Sequence, residues 1–281
     1  MTRGATYIWQ QPDWLHMTWD QEVVTHALSE TNRLRGELMG RVATFGLEER
    51  EHSAWECLTQ EVVHSSRIEG EELNRDSVRS SLARHLGLSC EGLPAPDHYT
   101  DGVVQVMVDA VKHCDAPLDA ERLFAWHAAL FPEGRSGMHR IAVAQWREGD
   151  EPMRVVSGAM GHERVHYEAP PSECVPSMME ELLGWVNGNA DIDPVLKAAL
   201  VHLWFVTIHP FDDGNGRLCR TLTEMMLSRA DRTTQRYYSL SSEILRHRKD
   251  CTSRLHRRVG WMSRPGCCGS CTHSMGPSVR L

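Results

Sequence analysis

Residues 209–220 hold most of the side chains in this chain that could do chemistry. The segment reads HPFDDGNGRLCR, which combines an imidazole, two adjacent carboxylates, a Gly-Asn-Gly turn and two arginines. A histidine titrates near neutral pH and can accept a proton from a substrate, so His209 is a candidate general base. Because Arg217 and Arg220 are three residues apart, a helix would present both guanidinium groups on one side, where they could bind successive phosphates.

The turn at residues 214–216 predicts an anion site. Glycine adopts left-handed backbone angles freely and asparagine tolerates them, so successive N–H groups can point inward as a nest. A helix predicted from about residue 217 would add its positive N-terminal end at the same place. A carboxylate beside phosphates would be repelled, so Asp212 or Asp213 is expected to bind Mg²⁺ together with the phosphates.

Two predicted helices flank this segment. Upstream, Asp193 suits an N-cap, Pro194 suits the first helical position, and nearly every residue to 208 is apolar, which indicates a buried helix. Downstream, Leu218 and Leu222 begin a pattern of apolar residues at helical spacing. Each feature of the segment taken singly has an ordinary structural explanation, but their uninterrupted order favours an active site.

The segment resembles the signature of the Fic family, His-Pro-Phe-x-(Asp/Glu)-Gly-Asn-Gly-Arg-x-x-Arg, and it matches at every defined position. The resemblance implies an all-α, mainly helical fold with a small β-hairpin flap. It also implies an Mg²⁺-dependent protein adenylyltransferase, which transfers AMP from ATP to a hydroxyl side chain of a target protein. The implied roles are general base for His209, Mg²⁺ ligand for Asp213, structural anchor for Phe211, and nucleotide binding for Gly214, Asn215, Gly216, Arg217 and Arg220.

A second motif closes a helix predicted from about residue 49 to 70. Ser65 and Glu69 are four residues apart and lie on one face, and Gly70 suits the C-terminal cap. The motif Ser-Ser-Arg-Ile-Glu-Gly resembles the inhibitory motif (Ser/Thr)-x-x-x-Glu-(Gly/Asn) of the Fic class in which the inhibitory helix precedes the core. The resemblance implies that Glu69 pairs with Arg220 and thereby autoinhibits the enzyme. A solvated glutamate at an ordinary helix end is the alternative.

Residues 145–170 favour a β-hairpin, because short β-branched runs surround a glycine-containing turn. By the resemblance, this hairpin is a flap that holds a target segment through strand pairing. A solvent-exposed hairpin without a partner is the alternative. The expected target-docking residues are Val155, Val156, Ser157, Gly158, Met160 and Gly161.

The chain is predicted to divide into three segments. Residues 1–96 form an N-terminal helical domain that includes the inhibitory helix, residues 97–250 form the Fic core, and residues 251–281 form an atypical, disordered tail without acidic residues. In the core, His127 is expected to be a packed residue with one satisfied nitrogen. The N-terminal aromatic residues are expected to cap a small helical core. They are Tyr7, Trp9, Trp14 and Trp19.

Composition excludes several classes of function. The formal net charge of −8, without a basic stripe, argues against nucleic-acid binding. No apolar run approaches the roughly 18 residues of a membrane span. Nine cysteines without paired spacing fit a reducing compartment, so a cytoplasmic location is expected.

The activity and the partners stay open in part. Beside AMP transfer, the resemblance allows removal of AMP from a protein, with Glu69 positioning a water molecule. The alternative class is an ATP-sensing regulatory or antitoxin-like module, although an intact His209 favours an enzyme. Homodimerisation, self-modification and the identity of the target Ser, Thr or Tyr residue are also open.

Overall fold

The computed structural model describes residues 7–11, 14–15, 17–157 and 164–247, and this part of the chain is mainly helical, as predicted. The helices are α1 (Gln21–Val42), α2 (Leu47–Ile68), α3 (Arg75–Leu86), α4 (His98–Lys112), α5 (Ala120–Leu130), α6 (Val175–Asn187), α7 (Pro194–Ile208), α8 (Asn215–Asp231) and α9 (Leu240–Arg246). The strands are β1 (Arg135–Ser136), β2 (His139–Arg140), β3 (Arg154–Ser157) and β4 (Arg164–Glu168), and short 3-10 helices cover Ile8–Gln10 and Ser172–Cys174.

Helices α7 and α8 pack along each other at the centre of the molecule. The Asp193 carboxylate caps α7 by accepting hydrogen bonds from the N–H groups of Val195 and Leu196, as the sequence predicted. Helix α8 is buried over most of its length, and Phe205 of α7 and Leu218 of α8 are fully buried. The loop that joins α7 to α8 is therefore held at one end of the core.

The remaining helices surround this pair. Helix α4 packs against α8, α3 and α5, and α6 packs against α7. At Gly102, helix α4 approaches α5 so closely that a methyl group would overlap the carbonyl oxygen of Ala129. The close approach brings Leu130 and Phe131, at the end of α5, next to the α7–α8 loop.

Helix α2, which carries the predicted inhibitory motif, is fixed by α9. The Glu61 carboxylate is buried and accepts hydrogen bonds from the Ser241 N–H at 2.9 Å and the Ser239 hydroxyl at 2.7 Å. His64 Nδ1 lies 2.7 Å from the Ser242 hydroxyl. The start of α9 thus satisfies a carboxylate on α2 that would otherwise be buried without partners.

The N-terminal aromatic residues do not cap a separate small core. Trp9 Nε1 donates to the Glu168 carbonyl at 2.8 Å, and the ring centroid of Trp14 lies 6.0 Å from that of Trp204. Helix α1 offers little to cap, because Val42 is its one fully buried residue in the described structure. Tyr7 and Trp9 instead contact β4 and Trp14 contacts α7, whereas Trp19 Nε1 donates to Gln21 Oε1 at the start of α1.

One hydrophobic core includes buried residues on both sides of position 96, with Val62 and Leu82 in the same cluster as Val104. The division of the chain into domains at residue 96 stays a prediction.

Two small antiparallel hairpins accompany the helices. The predicted hairpin is β3–β4, which pairs Val155 with Tyr167 and has an irregular register between Val155 and Val156. Ser157 ends β3, whereas Gly158, Met160 and Gly161 lie outside the described residues, as does the predicted tail at 251–281. The sequence reasoning missed the hairpin β1–β2, which turns at Gly137 with a φ of 55°.

The described helices include none that is both long enough and apolar enough to cross a bilayer.

We expect Gly102→Ala to lower the free energy of unfolding by about 1–3 kcal/mol, because the added methyl group overpacks the α4–α5 contact. Gly184→Ala in α6 is the matched control. Gly184 is exposed, and an added methyl group there meets no neighbour within 4 Å. The control should raise the free energy of unfolding by about 1 kcal/mol through helix propensity. Urea denaturation followed by circular dichroism measures the free energy of unfolding of both variants. If Gly102→Ala were stabilised as much as Gly184→Ala, the close packing at Gly102 would be contradicted.

Candidate active site

His209 ends α7 in a left-handed conformation, with a φ of 53°. The buried Arg147 guanidinium holds this backbone in place, since its Nε donates to the His209 carbonyl at 2.8 Å. The Arg147 N–H also donates to the Pro210 carbonyl at 2.9 Å. On the preceding turn, the Tyr167 hydroxyl donates to the Thr207 carbonyl at 2.6 Å. The strained backbone at the histidine is thus fixed by β4 and by the segment that leads into β3.

The imidazole of His209 is set up to accept a proton. Its Nδ1 lies 3.2 Å from the Val206 carbonyl oxygen, which can only accept, so Nδ1 carries the hydrogen. The lone pair is therefore on Nε2. Burial lowers the pKa of His209 below its ordinary value near 6.5, and this keeps the ring neutral at physiological pH.

Phe211 packs the loop against the core. Its ring is fully buried and stacks on His127 at a centroid distance of 4.2 Å and an interplanar angle of 10°. The Asn215 side chain closes the turn, since Oδ1 accepts from the Phe211 N–H at 3.0 Å and Nδ2 donates to the Phe211 carbonyl at 2.7 Å. The Phe211 ring therefore packs the loop against the core, and the Asn215 side-chain amide stabilises the turn through hydrogen bonds to the loop backbone.

His127 has both ring nitrogens satisfied, whereas the sequence reasoning expected one. The Ala144 N–H donates to Nδ1 at 3.2 Å, and Nε2 lies 3.2 Å from the Asp213 carbonyl oxygen. These partners require the neutral tautomer with its hydrogen on Nε2. Burial lowers the pKa of His127, which is consistent with that form. The side chain links α5 to the loop backbone.

The glycines permit two close approaches. Gly214 has a φ of 78°, and a β-carbon there would lie 2.8 Å from Phe131 Cε2. At Gly216 a β-carbon would overlap the Glu69 carboxylate. The first turn of α8, where unpaired N–H groups favour an anion, is thus in contact with a carboxylate from α2.

Arg220 is buried, with 5% of its surface exposed, and it donates hydrogen bonds to residues of the predicted inhibitory motif. Its Nη2 donates to Glu69 Oε1 at 2.8 Å, and its Nε donates to the Ser65 hydroxyl at 2.9 Å. Glu69 is the C-cap of α2 and is followed by Gly70 with a φ of 88°. The structure therefore brings together Ser65, Glu69 and Arg220.

Arg217 has partners that the sequence reasoning did not name. Its Nη1 donates to Glu71 Oε2 at 3.0 Å and to the Tyr99 hydroxyl at 2.5 Å. Its guanidinium also lies over the Phe131 ring, 4.8 Å from the centroid. Both arginines at the start of α8 are thus paired with glutamates from one short segment of the chain.

The two aspartates of the loop have different neighbours. Asp212 Oδ2 accepts from the Ala142 N–H at 2.9 Å, so it ties the loop to the chain that follows β2. Asp213 accepts from its neighbour's N–H, that of Gly214, at 2.6 Å, and contacts the Ser136 hydroxyl. Within the described ranges, no group of three or more His, Cys, Asp or Glu side chains could hold a metal ion. A single carboxylate is a donor set that fits Mg²⁺ when phosphates supply further oxygens.

Sequence reasoning missed four side chains that position the site: Glu71, Tyr99, Ser136 and Arg147. Glu71 alone had a local signal, because it follows the predicted cap at Gly70 by one residue. The other three come from distant elements, and their contacts follow from tertiary packing.

Residues 117–227 match the sequence profile of the Fic/DOC family. These residues form a Fic domain. Residues 7–88, ahead of the Fic domain, match a profile described as a domain of unknown function, DUF4172.

Several curated relatives resemble part of the chain. A probable protein adenylyltransferase of Aquifex aeolicus is 38% identical over 61 residues, which are 22% of this chain and 19% of the relative. The protein adenylyltransferase Fic of Culex quinquefasciatus is 29% identical over 188 residues, which are 66% of this chain and 34% of the relative. The chain thus matches about a fifth of the length of the first relative and about a third of the length of the second.

Solved structures share the fold. A Fic family protein from Desulfovibrio desulfuricans superposes with a TM-score of 0.57 at 22% identity, over 85% of this chain and 67% of that one. Fic-1 from C. elegans superposes with a TM-score of 0.56 at 18% identity, over 85% of this chain and 70% of that one. The helical architecture around the Fic domain is therefore that of known Fic proteins.

We expect the pKa of His209 to lie below 6.5, because burial disfavours the imidazolium ion. A proton NMR titration, with His209→Gln to assign the signal, measures it. Since the folded-state pKa is lowered, the neutral ring persists as the pH falls to 6.5, and any rate that needs it should decline only below that pH. A titration midpoint above 6.5 would contradict the buried, neutral imidazole.

Proposed function

We propose that the protein is a protein adenylyltransferase that transfers AMP from ATP to a hydroxyl side chain of a target protein, and that Glu69 restrains this activity. The names of the curated relatives support the reaction class. The observation that carries the restraint is the position of the Glu69 carboxylate, which lies against Gly216 and accepts a hydrogen bond from Arg220.

The proposed reaction needs one proton acceptor. His209 Nε2 takes the proton of the target hydroxyl while the hydroxyl oxygen attacks the α-phosphorus of ATP. A phosphorus–oxygen bond forms to the target, and the bond from the α-phosphorus to the bridging oxygen breaks. Pyrophosphate leaves, and AMP stays on the target as a phosphodiester. The neutral imidazole with its hydrogen on Nδ1 is the form that this step requires.

The triphosphate needs positive charge and N–H donors. In this proposal the amides of Gly214, Asn215 and Gly216 bind it at the start of α8, while Arg217 and Arg220 bind its phosphates beyond the α-phosphate. Asp213 would hold Mg²⁺, which when bound neutralises phosphate charge. Burial of both arginines supports this role, because charge-assisted hydrogen bonds are stronger where water is excluded.

Restraint follows from competition for the same donors. While Glu69 occupies Arg220 and the space at Gly216, a phosphate cannot take both, and two anions at that place would repel each other. Nucleotide could still bind, but with its terminal phosphate displaced and its α-phosphate misaligned for attack. In the same proposal the hairpin β3–β4 holds the target, with docking residues that begin at Val155, and the target is a protein with a Ser, Thr or Tyr hydroxyl.

The reaction class is tested by incubating the purified chain with Mg²⁺ and α-labelled ATP. The expected result is acid-stable label on a Ser, Thr or Tyr residue, either of the chain itself or of a protein in a lysate. A parallel incubation with γ-labelled ATP is the control, because AMP transfer leaves the γ-phosphate in pyrophosphate. Label from the γ-position alone would indicate phosphoryl transfer and contradict the proposal.

His209→Ala should lower the rate of AMP transfer by about 10²- to 10⁴-fold, the usual contribution of a general base. His127→Gln is a comparison, since it leaves the imidazole of His209 in place. Equal transfer by His209→Ala and the unmodified protein would exclude His209 as the base. Nucleotide binding, measured separately by calorimetry, should survive His209→Ala.

Glu69→Gly should raise AMP transfer by about 5- to 150-fold, which corresponds to a coupling free energy of 1–3 kcal/mol. We expect the lower part of that range, because the glutamate side chain is 38% exposed and solvent screens its ion pair. Glu72→Gly is the matched control, since Glu72 is an exposed glutamate three residues away. Incorporation of label at the same level in Glu69→Gly and the control would show that Glu69 does not restrain transfer.

A further inference from the structure

The end of α2 presents two glutamates to the loop, one on each side of Gly70. The Gly70 N–H donates to the Arg67 carbonyl at 3.1 Å, and the Glu71 N–H donates to the Ser66 carbonyl at 3.1 Å. This pair of hydrogen bonds is the Schellman motif, which the left-handed Gly70 makes possible. The motif fixes the backbone of Glu69 and Glu71 together, so both carboxylates are positioned by one helix end.

Each glutamate forms an ion pair with a different arginine at the start of α8. Glu69 accepts from Arg220 at 2.8 Å, and Glu71 accepts from Arg217 at 3.0 Å. In both pairs the arginine side chain is buried, with 7% and 5% exposed, while the glutamate side chains are 38% and 41% exposed. The two ion pairs therefore have the same arrangement, in which a partly exposed carboxylate covers a buried guanidinium.

Arg217 retains donors for a ligand. Its Nε is buried without a hydrogen-bond partner in the described part of the chain. Its Nη1 is shared between Glu71 and the hydroxyl of Tyr99, which in turn contacts the Glu71 carboxylate. A buried guanidinium with an unsatisfied N–H gains free energy when an anion with several acceptor oxygens binds to it.

Glu71 lies in a place that disfavours its own charge. Burial raises the pKa of Glu71 first, and the nearby carboxylates of Asp213 and Glu69 raise it further, while Arg217 lowers it. A triphosphate at the same loop would add more negative charge to this group of three carboxylates. Arg217 can neutralise the glutamate or the phosphate, but the two anions repel each other if both stay.

We propose that Glu71 is a second inhibitory carboxylate, which occupies Arg217 in the way that Glu69 occupies Arg220 and leaves it when the distal phosphates of a nucleotide bind. This inference rests on the proposed function, since it deepens the regulation of the same site. Residues 71–74 follow α2 without helical structure, so the side chain has a route into solvent. Tyr99 stays beside Arg217 when Glu71 leaves.

A positioning role makes the opposite prediction. If Glu71 instead orients Arg217 for the phosphate, removal of its charge weakens nucleotide binding. If Glu71 competes with the phosphate, removal of its charge strengthens binding. The direction of the change in the ATP dissociation constant therefore decides between the two roles, without a measurement of AMP transfer.

The test compares Glu71→Gln with Glu72→Gln, both in the Glu69→Gly protein. The two substitutions remove the same charge from adjacent positions, and Glu72 is exposed. Calorimetry with ATP and with AMP gives the dissociation constants. We expect Glu71→Gln to tighten ATP binding about fivefold, the low end of coupling between sites, because the pair is partly screened by solvent. AMP lacks the distal phosphates, so its affinity should change little.

Tyr99→Phe provides a second variant with the same expected direction. It removes the hydroxyl that contacts the Glu71 carboxylate, so ATP binding should tighten, by less than in Glu71→Gln. Unchanged or weaker ATP binding in Glu71→Gln, relative to Glu72→Gln, would overturn the inhibitory role of Glu71 and leave the proposed function standing. Equal tightening of ATP and AMP would also overturn it. Failure of every variant to bind ATP would remove the nucleotide site and this inference with it.

Discussion

A guanidinium that is withdrawn from water needs hydrogen-bond acceptors beside it, and a carboxylate is the strongest of them. Arg217 and Arg220 are both at least nine-tenths buried at the start of α8, and neither charge could remain there alone. In this structure the counter-charges come from Glu71 and Glu69, at the end of α2. Any anionic ligand of these two arginines would therefore compete with a carboxylate that is already beside each of them.

This requirement joins parts of the chain that are far apart in sequence. Both glutamates follow the end of α2, and the position of this helix depends on the buried Glu61, which the start of α9 satisfies through Ser239 and Ser241. Helix α8 carries both arginines and packs against α7. Contacts between rigid elements therefore connect the start of α9 to the loop, and the position of the glutamates is a property of the whole helical scaffold.

Local rules of sequence predicted the parts of the site that depend on neighbouring residues. Asp193 and Pro194 marked the start of α7, and Gly70 marked the end of α2, because capping is decided within one turn of a helix. The loop between α7 and α8 was likewise readable from its glycines and charges. The resemblance to a known family then assigned a partner to Arg220 that no local rule could supply.

What the sequence could not provide was the identity of partners across the fold. Trp14 was expected to cap a small helical core, but hydrophobicity does not specify a partner, and the ring packs on Trp204 of α7. Tyr99 and Arg147 carry no motif, because a hydroxyl or a guanidinium becomes part of a site only when another element approaches it. Their positions follow from helix packing, which sequence pattern determines only in outline.

The carboxamide of Asn215 shows how hydrogen bonds within the turn decide which groups of the loop can contact a ligand. Its oxygen accepts a hydrogen bond from the Phe211 N–H, and its nitrogen donates one to the Phe211 carbonyl. Both polar atoms of the side chain are therefore hydrogen-bonded within the turn. An aspartate could not donate the second bond, and a glutamine would be a methylene too long for the same span. The Asn215 side chain therefore stabilises the turn. Of this residue, the main chain remains available to contact a ligand.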